Sequence, residues 1–265
     1  MPYAKNSDVN IYYEVIGEGP PLVLAHALTG SLKSWVRDGY TDALKNDFRL
    51  ILFDERNRGK TDKLHEVSSL GSSIIADDVL VILDELNIEK AHYFGYSMGA
   101  RVGFWLATHH EERFYSFILG GMTPYYIPEA ASNTFTQRIE GLKLQITDPD
   151  AFLLRQERRL GRPLEEDEKK SFLDTDAGNT ILLLTSFLEN CPSLTDSELS
   201  GISTPCLVFC GELDEGPFHP GAKESANHIP GADFISFPNI GHYQLGASSD
   251  LVLPHVKEFL ARVNK

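Results

Sequence analysis

The sequence predicts an α/β protein, a mostly parallel eight-stranded sheet with helices on both faces, and three observations carry that reading. Leu22–Ala25 and Arg49–Phe53 have the near-continuous hydrophobicity of strands buried on both faces of a sheet. Each ends in a loop of small or polar residues, His26–Ser31 and Asp54–Thr61, before a helical pattern begins. The third observation is Ala91–Ala100, where an apolar strand runs straight into Ser97, and an apolar helical pattern through Val102, Phe104, Leu106 and Ala107 follows. Repeated strand, loop and helix is the pattern of a doubly wound parallel sheet, in which sites form at the carboxyl ends of the strands.

In chain order, Val9–Ile16 reads as a β-branched and aromatic strand paired with Pro2–Lys5 across Asn6-Ser7-Asp8. Gly17–Pro21 breaks it. Helices are expected over Leu32–Asn46 and Ser73–Leu86 around the Arg49–Phe53 strand, and Phe114–Leu119 is the strand after the serine helix. There the alternation stops. Residues 123–199 show helical patterns and no good strand: Asp148 caps a helix with Pro149 in its first turn, Gly161 can end it, and Pro163 prevents its continuation. Leu164–Asp174 and Ala177–Glu189 read as two further helices. The expected organisation is a core domain of residues 1–122 and 200–265 interrupted by an all-helical insertion, 123–199. The core resumes with strands Cys206–Cys210 and Ala232–Phe237, a helix over Pro220–His228 between them, and a closing helix over Ser248–Val263.

Composition limits the functions open to the chain. A formal charge of −14 argues against nucleic acid or an anionic membrane surface as partner, because phosphate binding needs clustered Lys and Arg. No apolar run approaches the roughly 20 residues of a membrane helix, and the polar start is unlike a signal peptide, so a cytoplasmic protein is expected. Cys206 and Cys210 stand four apart on one strand, roughly 13 Å, too far to bridge. There is no H-E-x-x-H, no paired C-x-x-C and no Walker sequence, so neither metal nor nucleotide cofactor is expected.

Gly95-Tyr96-Ser97-Met98-Gly99 is a G-x-S-x-G sequence between strand and helix. A serine on such a turn is held in a strained conformation with its Oγ clear of the sheet, and glycines two residues to either side let strand and helix pass without a Cβ clash. The amide of Met98 then points from a helix N-terminus toward any developing negative charge.

Together with His26-Ala27, Asp54-x-Arg56-x-x-Gly59 and Gly241-His242, taken in this order, the motif resembles the α/β-hydrolase family, in particular its small cap-bearing esterase and lactonase branch. Asn57 stands where that family usually has glycine, and asparagine enters left-handed conformations comparatively readily. The resemblance covers essentially the whole chain outside the insertion. It implies Ser97 as nucleophile and His242 as base, with Gly241 allowing the sharp turn that aims the imidazole at the serine. The orienting acid should precede His242 and end a strand, as Cys210-Gly211-Glu212-Leu213-Asp214 does, which makes Asp214 the choice, with Glu212 and Glu215 as fallbacks. Met98 and Leu28 would supply the oxyanion-hole amides. His26 reads as a structural hydrogen-bonding residue, and His109 and His110 as the end of the serine helix.

The insertion would lie over the serine as a cap. Trp35, Tyr96, Met122, Tyr125, Tyr126, Phe135 and Phe218 are candidates to line an apolar acyl pocket for a small-molecule substrate. The activity implied is hydrolysis of a small or medium apolar ester or lactone through an acyl-enzyme. Carbon–carbon bond hydrolysis, perhydrolysis or acyl transfer with the same triad, and a non-catalytic ligand-binding role, are the alternatives. Aspartate at the nucleophile position marks epoxide hydrolases and dehalogenases, and Ser97 argues against those.

Overall fold

A computed structural model describes residues 2–125, 129–174, 176–214, 216 and 218–263. Tyr126 and Glu215, both named above as candidates, lie outside the described residues. The first two strands, β1 (Tyr3–Asn6) and β2 (Val9–Ile16), form a hairpin with Ser7 at φ 55° in its turn. The sheet continues with β3 (Pro21–Ala25), β4 (Arg49–Phe53), β5 (Ala91–Tyr96), β6 (Phe114–Gly120), β7 (Cys206–Gly211) and β8 (Asp233–Phe237) in the order β1-β2-β4-β3-β5-β6-β7-β8. β1 to β2 and β2 to β4 are antiparallel, and every other pairing is parallel. β3 has β4 on one side and β5 on the other, so the chain reverses its winding there. The loops after β3 and β5 diverge to opposite faces and leave a crevice between their carboxyl ends, the place where open α/β sheets bind ligands.

Side-chain alternation builds two cores from each central strand. Val23, Ala25, Ile51 and Phe53 face one layer, with helices α3 (Ser72–Glu85), α4 (Met98–His109) and α10 (Phe218–His228) supplying Val79, Phe104 and Ala222. Leu22, Leu24, Leu50 and Leu52 face the other, closed by α1 (Leu32–Arg37), α2 (Tyr40–Leu44) and α12 (Ser249–Val263) through Trp35, Tyr40, Val256 and Phe259. The single helix expected over 32–46 is therefore two, parted at Gly39, whose φ of 84° no continuing helix adopts. The closing helix is likewise preceded by a separate short one, α11 (His242–Ala247).

Between β6 and β7 the described residues form α5 (Glu129–Thr147), α6 (Pro149–Leu160), α7 (Glu166–Leu173), α8 (Ala177–Glu189) and α9 (Asp196–Ser200), with no strand among them. α6 begins where the Asp148 carboxylate accepts the Ala151 amide, 3.0 Å, and ends at Gly161 with φ 69°. Sequence patterning did not place α5. This segment has its own small core, Leu142, Ala177 and Leu184, and Leu28 from the loop after β3 packs against it. Among the described residues, no helix is long and apolar enough to cross a membrane.

Candidate active site

β5 ends at Tyr96 and α4 begins at Met98, so one residue makes the turn. Ser97 takes φ 57° and ψ −114°, a region that non-glycine residues avoid, and its amide is anchored to the Gly120 carbonyl at 2.8 Å. The flanking glycines are required by space. A Cβ on Gly95 would lie 2.3 Å from the Gly99 oxygen, and one on Gly99 would lie 2.1 Å from the Ala25 oxygen.

Two other loops bring their side chains to this serine. The loop after β7 is tied to the one after β8 by Glu212 N–H to the Phe237 oxygen, 2.9 Å, and Leu213 N–H to the Ile240 oxygen, 3.1 Å. The close approach falls at Gly211, where a Cβ would meet the Ile240 oxygen at 2.3 Å. Gly241 does not carry the turn as expected: its φ is −100°, and the left-handed residue is Asn239 at φ 56°. As a result His242 Nε2 stands 2.8 Å from Ser97 Oγ, and His242 Nδ1 stands 2.9 Å from each oxygen of Asp214. The Asp214 carboxylate is fully buried, and Oδ2 also accepts the Cys210 thiol at 3.2 Å. Burial and the neighbouring carboxylate push that thiol's pKa up, which keeps it a donor. Nothing in the sequence motif pointed to Cys210.

The support behind the site is polar and buried. Asp54 accepts the amides of Leu32, 2.9 Å, and Lys60, 2.8 Å, and fixes the loop against α1. Gly59 leaves room for it, since a Cβ there would sit 1.9 Å from Asp54 Oδ2. Asn57 takes φ 62°, as its type permits. His26 Nε2 accepts the Glu55 amide at 3.1 Å, so the proton is on Nδ1, donated to the Ala27 oxygen at 2.9 Å. Burial lowers the His26 pKa to about 3, so this imidazole is a neutral strut.

A cavity of about 820 Å³, measured out to its open mouth, contains Ser97, Asp214 and His242. Leu28, Met122, Phe135, Phe187 and Phe218 make it largely apolar, with Arg138 and Tyr243 also on its lining. Of the aromatic and apolar candidates, Met122, Phe135 and Phe218 line this cavity, but three others do not. Trp35 is core, its ring centroid 4.9 Å from Phe94 and 5.0 Å from Tyr40, because α1 packs that face onto the sheet. Tyr96 is held between Gly121 and Gly246 and donates its hydroxyl to the His242 oxygen at 2.6 Å, so it braces the histidine's backbone. Tyr125 turns away, its hydroxyl on Asp196 at 2.9 Å. Trp35 and Tyr96 line a second pocket, which shares Ala27, Thr29, His242 and Tyr243 with the first. The amides of Leu28 and Met98 have no protein acceptor among the described residues, and Leu28 lines the main cavity. Phe187 and Arg138 were missed because only the docking of α8 and α5 brings them here.

The sheet order, the strained serine and its histidine and aspartate define the class, and the family model agrees: the chain belongs to the alpha/beta hydrolase fold family, matched over residues 20–246. Among relatives, it is 27% identical over 207 residues to 3-oxoadipate enol-lactonase 1 of Acinetobacter baylyi, covering 74% of this chain and 71% of that one. It is 26% identical over 274 residues to a putative 2-succinyl-6-hydroxy-2,4-cyclohexadiene-1-carboxylate synthase of Bacillus subtilis, covering 96% of each. The crystal structure of the enol-lactonase from Burkholderia xenovorans LB400 superposes with a TM-score of 0.77 over 98% of this chain and 100% of that one, at 23% identity.

Proposed function

We propose that the protein is a serine hydrolase that cleaves a small or medium carboxylic ester or lactone through an acyl-enzyme. The observation that carries this is the unbroken chain from Ser97 Oγ to His242, 2.8 Å, and from His242 to Asp214, 2.9 Å, opening on an apolar cavity. Ser97 Oγ attacks the carbonyl carbon while His242 Nε2 takes its proton, and Asp214 holds the Nδ1–H tautomer and stabilises the imidazolium. The amides of Leu28 and Met98 receive the oxyanion, an effect worth roughly 3–4 kcal/mol per donor in related chemistry. His242 returns the proton to the leaving alkoxide, then activates the water that releases the acid. The helical segment 123–199 acts as a cap that excludes bulk water from the acyl group. The enol-lactonase relative supports the ester and lactone class, and the three free cysteines suit a reducing, cytoplasmic setting.

Hydrolysis of a chain-length series of p-nitrophenyl esters and simple lactones tests the reading against Ser97→Ala. Turnover by the wild type should fall by roughly 10⁴- to 10⁶-fold in the variant. A serine-directed phosphonate should label Ser97, as mass spectrometry will read. A wild type inert on every ester and lactone would overturn the proposal. Product analysis for carbon–carbon bond hydrolysis would then be the next step.

A further inference from the structure

Arg138 is out of keeping with the cavity it lines. In this acidic chain, with 38 Asp and Glu against 24 Lys and Arg, Arg37, Arg56, Arg113, Arg162 and Arg262 sit on Asp38, Asp78, Asp84, Glu168 and Asp233, and Arg101 and Arg155 on backbone carbonyls. Arg138 is in no ion pair among the described residues. Its Nη1 donates to Tyr243 Oη at 3.2 Å, an uncharged partner contributed by the residue next to His242. Among the described residues, the other charged lining groups are Asp214 and His242, which already hold each other. A guanidinium therefore stands exposed at a largely apolar cavity, with Tyr243 as its one hydrogen-bond partner among the described residues. The Tyr243 hydroxyl accepts from Arg138 and keeps its own proton to donate.

Resting on the serine-hydrolase reading above, we propose that Arg138 and Tyr243 form an anion anchor, and that the substrate is an ester or lactone bearing a free carboxylate remote from its scissile carbonyl. A guanidinium presents paired donors in a plane that matches a carboxylate, and the tyrosine hydroxyl adds a third. Because Tyr243 follows His242 in the chain, an acid group held there sets the reach to Ser97 and favours one spacer length. The apolar walls Leu28, Phe135 and Phe187 then take the methylenes between the two ends. The anchor acts equally on bound substrate and transition state, so its loss raises KM and leaves kcat near its starting value.

The test compares p-nitrophenyl hemisuccinate, hemiglutarate and hemiadipate with their neutral methyl-ester counterparts. The enzymes are the wild type, Arg138→Leu, Arg138→Lys and Tyr243→Phe. The wild type should prefer the acid at one chain length. Arg138→Leu should lower the acid-to-neutral ratio of kcat/KM at that length by roughly 10- to 100-fold, as expected for a charged hydrogen-bonded contact. Arg138→Lys should restore part of the loss, and Tyr243→Phe should show a smaller one. An acid-to-neutral ratio that is the same in wild type and Arg138→Leu at every length overturns the anchor. If neutral esters are still hydrolysed in a Ser97-dependent way, the hydrolase reading survives that result. Calorimetric titration with glutarate reads the anchor without turnover: binding lost in Arg138→Leu supports it, and equal or absent binding in both overturns it.

Discussion

Glu55 and His26 are hydrogen-bonded neighbours behind the site, yet they respond to pH in opposite directions. Burial lowers His26 from 6.5 to about 3, so in acid the unfolded chain takes up a proton that the folded chain refuses. Stability is lost as pH falls from 6.5 toward 3. Burial raises Glu55 from 4.5 to about 8 against the pull of Arg58, and its Oε1 has no hydrogen-bond partner among the described residues. Here the unfolded chain releases a proton that the folded chain keeps, so stability is lost as pH rises from 4.5 toward 8. Glu55→Gln removes the second loss. Urea denaturation at pH 5 and pH 8 should show the variant gaining on the wild type at the higher pH. An equal difference at both would mean that Glu55 is ionised in the fold. At this scale the serine was legible because G-x-S-x-G is a local demand, with each glycine answering to a backbone oxygen nearby. Cys210 was not, because its contact with Asp214 depends on how the loop after β7 curls back.

Among the elements, α4 does more than present Ser97. From its first turns Arg101 reaches the carbonyl oxygens of Thr123 and Tyr125, both 2.7 Å, and those of Cys191, 3.1 Å, and Pro192, 2.9 Å. Those residues are where the chain leaves the sheet for the helical segment and where it returns. One buried guanidinium thus clamps both crossings to the serine helix, and among the described residues its hydrogen bonds all go to carbonyl oxygens. Arg101→Met leaves four oxygens short of a donor and should cost at least ~2 kcal/mol. It should lower Tm and expose residues 123–192 to limited proteolysis, with Arg101→Lys in between. Unchanged cleavage in this segment would refute the clamp. The helices α6 and α8 could be located from their caps and patterns. α5 lacked such a signal, and with it Arg138 and its place at the cavity went unread.

Across the whole molecule, Asp78 of α3 gathers parts far apart in sequence. Both its oxygens take Arg56, 2.7 and 2.8 Å, and Oδ1 also takes Asn6 of β1 at 2.7 Å. Burial outweighs the arginine and holds the carboxyl above its usual pKa, so the pair stands close to the limit of what ionised groups tolerate in a core. Asp78→Ala, which strands the guanidinium, should destabilise by about 3–5 kcal/mol, whereas the double variant Arg56→Met with Asp78→Leu should recover most of the loss. Equilibrium unfolding of the three variants checks this. A double variant as unstable as Asp78→Ala would show that the pair is needed for more than its mutual neutralisation.

The sequence by itself determined the strands, their alternation with helices, the strained serine and the order of the motifs. These follow from hydrophobic periodicity and short-range sterics, which act between residues close in the chain. The tertiary structure decided which aromatics are wall and which are core. Trp35, Tyr96 and Phe187 are alike as aromatic side chains, and only packing turns the first into α1's core contact, the second into a brace for His242, and the third into a cavity wall. It also decided that Arg138 lines the serine's cavity, because the docking of one helix on another is set by contacts between residues tens of positions apart.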